Sequence, residues 1–197
     1  MSEVLTPFVE ATVRTATPLA FAALGELVAE RSGVINIGLE GTIIAGAFGG
    51  LVTAGAAGAA VGFLGAIAAG VLVAAIFAFF VVTLKSDHII TGTAISMLGV
   101  GTTGTLYRIL YGTTGAALDT PTLAPLPIPL LHEIPIIGAA LFAQPMVTYL
   151  LYVMVPVLGW WLTRTGAGLA LRAVGERPEA AVAAGISTLS SPTPARA

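Results

Sequence analysis

The sequence predicts an all-α protein, a polytopic helical bundle with about five membrane spans in this chain. Of its 197 residues, 56% are apolar and only 9% are charged, and the mean hydropathy is +0.97. An ordinary soluble domain carries roughly a quarter of charged residues, so this chain cannot supply a charged shell. The composition also excludes a disordered chain, which would be poor in large apolar residues. The absence of Cys excludes a disulfide scaffold, and a net charge of -2 offers no basic excess for nucleic acid.

The second observation is the spacing of the charges. Residues 41–84 contain none, and a straight helix of that length would reach about 66 Å, twice the ~30 Å hydrocarbon core. The run must therefore fold back once, and we expect the break at residues 55–58, Gly-Ala-Ala-Gly. The predicted spans lie near residues 12–30, 37–54, 59–84, 89–110 and 145–163.

The first span is the least apolar, because Arg14 and Glu26 interrupt it. A secretory signal peptide is the alternative for this end. That alternative fits poorly, because the first thirteen residues carry two Glu and no basic residue.

The segments between the spans set the predicted orientation. Residues 111–144 hold five prolines and are predicted to form a long extramembrane loop without helix. Residues 164–186 carry three arginines, which the positive-inside rule places in the cytoplasm. The proline-rich loop and the N-terminus then lie outside.

Small residues recur at the spacing that brings helices together in lipid. Gly46 with Gly50 and Gly58 with Gly62 stand four apart, which favours close packing within the chain over a homodimer contact. Residues 99–104 match the pattern G-x-G-x-x-G. Because that run lies inside an apolar span, it favours helix packing and not dinucleotide binding.

One carboxylate stands where a long apolar run begins. Glu40 follows Asn36 in the run Asn-Ile-Gly-Leu-Glu-Gly. Ionisable groups at membrane depth usually line a water-filled path, which makes Asn36 and Glu40 candidates for a translocation path. Equally, Glu40 fits a carboxylate at the positive end of a helix. The sequence contains no paired nucleophile and base, no P-loop and no ligand cluster around His88, so we predict no catalytic residue, metal or cofactor.

A short helix is predicted in the segment after the last span. Pro178 suits a first helical turn, Glu179 suits its positive end, and Gly185 is a suitable stop. Its Ala-rich surface is typical of a docking element on a cytoplasmic loop.

These motifs resemble those of a known family. Glu179, Ala180 and Ala181, followed at the family's spacing by Gly185, resemble the coupling loop of ABC importer permeases. The run Ser-Gly-Val-Ile-Asn-Ile-Gly-Leu-Glu-Gly at residues 32–41 is similar to the nucleoside/simple-sugar, or branched-chain-type, permease branch. The segments at residues 126–142 and 172–176 are similar as well, so the resemblance extends over nearly the whole chain to Ile186.

The resemblance implies part of one transmembrane permease domain, residues 1–186, in a multi-pass protein of the plasma membrane. Such a subunit would import nucleosides or related sugars. Its implied partners are a cytoplasmic ABC ATPase, a second related permease subunit that would complete a heterodimer, and an external substrate-binding lipoprotein. ATP hydrolysis would belong to the ATPase, and the segment around Glu179 and Gly185 would contact it.

The last residues depart from the family. Residues 187–197 are rich in Pro, Ser and Thr and resemble nothing in the family, so we expect an unstructured, aberrant tail on a truncated chain. A truncated, non-transporting membrane fragment is therefore one alternative. An ion-coupled secondary transporter is another, but it would need paired intramembrane charges, and Glu40 is the sequence's only candidate.

Overall fold

The computed structural model describes residues 2–112, 121–129, 131–132 and 137–186. It confirms the all-α class. The predicted tail at residues 187–197 and parts of the proline-rich loop lie outside the described residues.

The described residues form eight helices and one small sheet. A π-helical turn, Phe79–Thr83, extends the third helix. Strands β1 (Pro125–Pro127) and β2 (Ala143–Pro145) pair antiparallel, with Leu126 opposite Gln144. The helices are α1 (Ser2–Arg31), α2 (Leu39–Ala57), α3 (Ala59–Ala78), α4 (His88–Tyr111), α5 (Ile137–Phe142), α6 (Met146–Arg164), α7 (Gly166–Glu176) and α8 (Pro178–Ala183).

Four of the described helices are long and apolar enough to cross a membrane. They are α2, α3 with its π-helical turn, α4 and α6. Helix α1 is long enough but less apolar, because several charges interrupt its apolar residues, among them Arg14 and Glu26. The predicted span at residues 12–30 lies within this helix and stays a prediction.

One helix boundary and two additional helices differ from the sequence-based expectation. Helix α1 begins ten residues before the predicted span, and an ion pair between Arg14 and Glu10, 2.7 Å long, bridges one of its turns. Helix α5 lies within the loop that we predicted to lack helix, because no proline falls between Ile137 and Phe142. Helix α7 occupies a Gly-containing segment whose structure we did not predict.

The chain divides into two compact units. The first comprises Met1–Val28 and Leu123–Leu171, and the second comprises Ala29–Thr122 and Arg172–Ala197. In the second unit, Phe77, Val81 and Ile95 form a buried cluster, against which Val34 and Val73 pack.

Glycines allow the turn and the close packing of the α2–α3 hairpin in the second unit. Gly58 joins the two helices at φ +89°, inside the predicted break, in a conformation that L side chains rarely adopt. A Cβ added to Gly50 would lie 3.1 Å from the Cβ of Ala66, and one added to Gly62 would lie 3.1 Å from the Gly50 carbonyl oxygen. The small residues of this pair therefore pack within the chain, as the small-residue spacing predicted.

Large apolar side chains are exposed along the candidate spans. Leu72 of α3, Met97 of α4 and Trp160 of α6 are each more than 60% exposed. Exposure on this scale is unfavourable in water but suits hydrocarbon or the surface of further helices. The surface thus agrees with the composition in pointing to a bilayer.

Candidate functional site

Helix α8 is a short helix with one buried residue, one half-buried residue and an otherwise exposed surface. Pro178 occupies its first turn with Glu179 beside it. Ala181 is 3% exposed, whereas Glu179, Ala180 and Val182 are exposed. The predicted coupling residues therefore fall into two groups. Ala181 anchors the helix, whereas Glu179 and Ala180 face outward.

A complete Schellman motif ends α8. Gly185 has φ +81°, its N–H donates to the Val182 carbonyl, and the Ile186 N–H donates to the Ala181 carbonyl, both at 3.0 Å. Gly185 is exposed, and a Cβ there would meet none of the described residues within 4 Å. The glycine is thus required by its backbone conformation and not by lack of space.

A single residue joins α7 to α8. The Arg177 N–H donates to the Ala173 carbonyl of α7, and the Arg177 carbonyl accepts from the Ala181 N–H of α8, each at 3.0 Å. The backbone hydrogen bonds of the two helices meet at this residue. Pro178 restricts the backbone angles of Arg177, so the link between the two helices is short and stiff.

The segment that leads from α1 to α2 begins with a second Schellman motif. Gly33 has φ +86°, its N–H donates to the Glu30 carbonyl at 3.0 Å, and the Val34 N–H donates to the Ala29 carbonyl at 3.1 Å. We call residues 31–38 the α1–α2 connection. Its start falls on the Ser-Gly-Val run that the sequence singled out.

The end of α7 packs against this connection through two glycines. A Cβ on Gly33 would lie 3.2 Å from the Gly175 Cα. A Cβ on Gly175 would overlap the Arg31 carbonyl oxygen and lie 2.9 Å from the Gly33 nitrogen. The two backbones are in direct contact, which only glycine permits at this distance.

The Asn36 side chain holds the end of the connection that leads into α2. The Asn36 Oδ1 accepts from the Gly38 N–H at 3.0 Å, which closes a local turn before α2. Ser96 of α4 donates its hydroxyl hydrogen to the Ile37 carbonyl at 3.2 Å. The connection is thus tied both to itself and to α4.

Glycines continue the contact with α4 into the first turn of α2. A Cβ on Gly92 would lie 2.8 Å from the Gly38 nitrogen, and one on Gly99 would lie 2.7 Å from the Gly41 Cα. Gly99 belongs to the G-x-G-x-x-G run, and its role in helix packing is as predicted. Gly101 and Gly104 of the same run have nothing within 4 Å of an added Cβ.

The two candidate path residues lie at this corner. Asn36 is partly buried and closes the turn, whereas Glu40 lies in the first turn of α2 with an exposed side chain. That position is favourable for a carboxylate near a helix N-terminus. A place for either residue on a translocation path stays a prediction.

A cavity of about 650 Å³ opens between α3 and the start of α4. Its lining is mostly apolar, including Phe80 and Leu98, with Ser86 and Asp87 among the polar residues. The Asp87 Oδ1 already accepts from the backbone N–H groups of α4 at Ile89 and Ile90. A nucleoside or sugar needs several convergent polar groups, so we assign no substrate to this cavity.

No motif in the sequence pointed to the buried polar cluster of the first unit. Gln144 is 0% exposed, and its Nε2 donates to the Ala140 carbonyl at 2.7 Å and to the Glu10 carbonyl of α1 at 3.3 Å. The Tyr149 hydroxyl accepts from the Gln144 N–H and donates to the Leu126 carbonyl. These bonds fasten the β1–β2 sheet to α1 and α6.

Replacing Gln144 by Leu is expected to destabilise the first unit by about 1–3 kcal/mol, because two carbonyls lose a buried donor. Thermal unfolding of the detergent-solubilised chain, followed by size-exclusion chromatography, measures the effect. The control is Met146→Leu, since Met146 is 69% exposed two residues away. Equal melting temperatures for both variants would show that the buried amide contributes nothing.

Comparison with known proteins identifies the family to which this chain is similar. Residues 8–190 match the model of the branched-chain amino acid transport system permease component. The chain is 36% identical over 193 residues to a guanosine ABC transporter permease protein of Bacillus subtilis, covering 94% of this chain and 60% of the relative. It is 37% identical over 181 residues to a putative glucose ABC transporter permease protein of Haloferax volcanii, covering 89% of this chain and 54% of the relative.

A third relative matches over a similar length. A nucleoside ABC transporter permease protein of Lactococcus lactis is 36% identical over 180 residues, covering 87% of this chain and 56% of the relative. The chain therefore spans between half and two thirds of the length of these relatives. No solved structure matches it.

The family match extends over nearly the whole chain, and four described helices can cross a membrane. The three relatives described above are permease proteins of transporters, as the resemblance at residues 32–41 and 179–185 predicted. This chain is a multi-pass inner-membrane protein that belongs to the permease components of branched-chain amino acid-type transport systems.

Proposed function

We propose that this chain forms part of the membrane-spanning permease of an ABC importer for nucleosides or related sugars. The observation that carries the proposal is the 36–37% identity, over 87–94% of the chain, to permease proteins named for guanosine, nucleosides and glucose. ATP hydrolysis belongs to a separate cytoplasmic ATPase subunit.

The geometry of α8 supports a docking role for the predicted coupling residues. Glu179, Ala180 and Gly185 are exposed, Ala181 anchors the helix, and Val182 presents an apolar side chain that is 55% exposed. A small helix with one exposed apolar residue between small neighbours fits a shallow groove of a partner protein. We propose that this groove lies on the ATPase.

The proposal includes three further partners. A second, related permease subunit would complete the channel as a heterodimer, a substrate-binding lipoprotein would deliver the solute from outside, and lipid would cover the exposed apolar surface. Asn36 and Glu40 are proposed to border the translocation path at the cytoplasmic end of α2.

The test is purification of the tagged chain from its native membrane in mild detergent, with the co-purifying proteins identified by mass spectrometry. We expect a polypeptide that contains the P-loop pattern G-x-x-x-x-G-K-[ST]. The complex is then placed in vesicles with labelled guanosine and the substrate-binding protein outside. Uptake should require ATP on the cytoplasmic side.

Other outcomes would favour the alternatives. Uptake that persists without ATP and collapses with the ion gradient would support an ion-coupled secondary transporter. Absence of both a P-loop partner and uptake would support a non-transporting membrane fragment. A labelled-glucose arm separates the sugar from the nucleoside as substrate.

A further inference from the structure

We infer that the Gly33–Gly175 contact is the point at which movement of α8 reaches the membrane helices, so that Gly33 and Gly175 are positioning residues for energy coupling. This inference rests on the proposed function. Its evidence is an unbroken series of short contacts from α8 to α4 within the second unit.

The first step runs from α8 to α7. The Arg177 N–H donates to a carbonyl of α7, and the Arg177 carbonyl accepts from an N–H of α8. Only Arg177 lies between them, and the ring of Pro178 restricts the backbone angles of the residue before it. The link between α8 and α7 is therefore short and stiff.

The second step runs from α7 to the α1–α2 connection. Gly175 meets the Arg31 carbonyl oxygen and the Gly33 nitrogen without a side chain between the backbones. Closely packed backbones transmit a displacement, because protein interiors have low compressibility. Gly33 is also fixed by its Schellman hydrogen bonds, so a push on it displaces the connection as a whole.

The third step runs from the connection to α4. The Ser96 hydroxyl holds the Ile37 carbonyl, Gly92 packs on Gly38, and Gly99 packs on Gly41. Helices α2 and α4 therefore move with the connection. Both are candidate spans, so a displacement that starts at α8 reaches the membrane.

The experiment compares variants of the purified complex in vesicles, with ATP hydrolysis and ATP-driven guanosine uptake measured in the same preparation. Gly175→Ala inserts a methyl group into the contact. Gly33→Asn presses on the same contact from the other side, 3.2 Å from the Gly175 Cα, while Asn tolerates the positive φ. Gly166→Ala is the matched control, because it lies in α7 with nothing within 4 Å of the added Cβ.

We expect both contact variants to keep the ATPase bound and its rate within twofold of the unaltered complex, while uptake falls at least tenfold. The control should change neither. Unchanged uptake, or uptake and hydrolysis that fall by the same factor, would overturn the inference, since a merely structural role would lower both together.

Two further outcomes have defined meanings. If Gly175→Ala does not assemble, the gentler Gly33→Asn decides. If the unaltered complex itself shows no ATP hydrolysis or no ATP-driven uptake, the proposed function has failed and this inference falls with it. That failure is recognised before any variant is compared.

Discussion

Replacing Gly99 by Ala is expected to destabilise the second unit by about 1–3 kcal/mol, the usual cost of overpacking a tight contact. The added Cβ would lie 2.7 Å from the Gly41 Cα and 2.8 Å from its carbonyl oxygen. Both are backbone atoms, so no side-chain rotation can relieve the overlap. Helices α2 and α4 must separate, which also lengthens the Ser96–Ile37 hydrogen bond.

The same helix supplies a control. Gly101→Ala meets nothing within 4 Å, and Ala is favoured over Gly inside a helix by about 0.5–1 kcal/mol. Gly101→Ala should therefore leave the melting temperature of the detergent-solubilised chain unchanged or raise it, whereas Gly99→Ala lowers it. Equal melting temperatures would contradict the backbone contact between α2 and α4.

This pair of glycines also shows what periodicity can and cannot predict. The G-x-G-x-x-G run inside an apolar span indicated helix packing, and that indication applies to Gly99. Nothing in the pattern separates Gly99 from Gly101, because the distinction depends on how α4 is rotated against α2. That rotation is set by contacts with residues far away in the sequence.

Features with a local cause could be predicted from the sequence. The charge-free run required a break, and the chain bends at Gly58, where a positive φ is needed. The stop of α8 at Gly185 has a similar cause, since a Schellman motif favours glycine at one position. Both depend on the chemistry of single residues, which can be read from the sequence without knowing the tertiary contacts.

Features that depend on tertiary contacts were missed. Gly166 and Gly168 argue against a helix in α7 by propensity, but Gly168 packs against the backbone of α6 at Leu162. The glycine that weakens the isolated helix is what permits its packing. The hydrogen bond from Gln144 to the Glu10 carbonyl could not be predicted either, because the two residues are 134 positions apart in the sequence.

Replacing Gly185 by Val is expected to remove most of the ATPase from the purified complex. A β-branched residue at φ +81° costs of the order of 1–3 kcal/mol, which is enough to unwind a helix of six residues. Loss of the Schellman bonds to Ala181 and Val182 would release the anchored Ala181 and, with it, the orientation of Glu179.

Asn at the same position separates backbone strain from simple loss of glycine, because Asn tolerates the left-handed region better than other side chains. Gly185→Asn should retain the ATPase, whereas Gly185→Val should retain less than a tenth of it, as measured by the ratio of the two polypeptides after affinity purification. The two variants do not differ in space at the Cβ, since no described residue lies within 4 Å of it. A full complement of ATPase on Gly185→Val would mean that the partner binds elsewhere, and the coupling role of Glu179, Ala180, Ala181 and Gly185 would have to be abandoned.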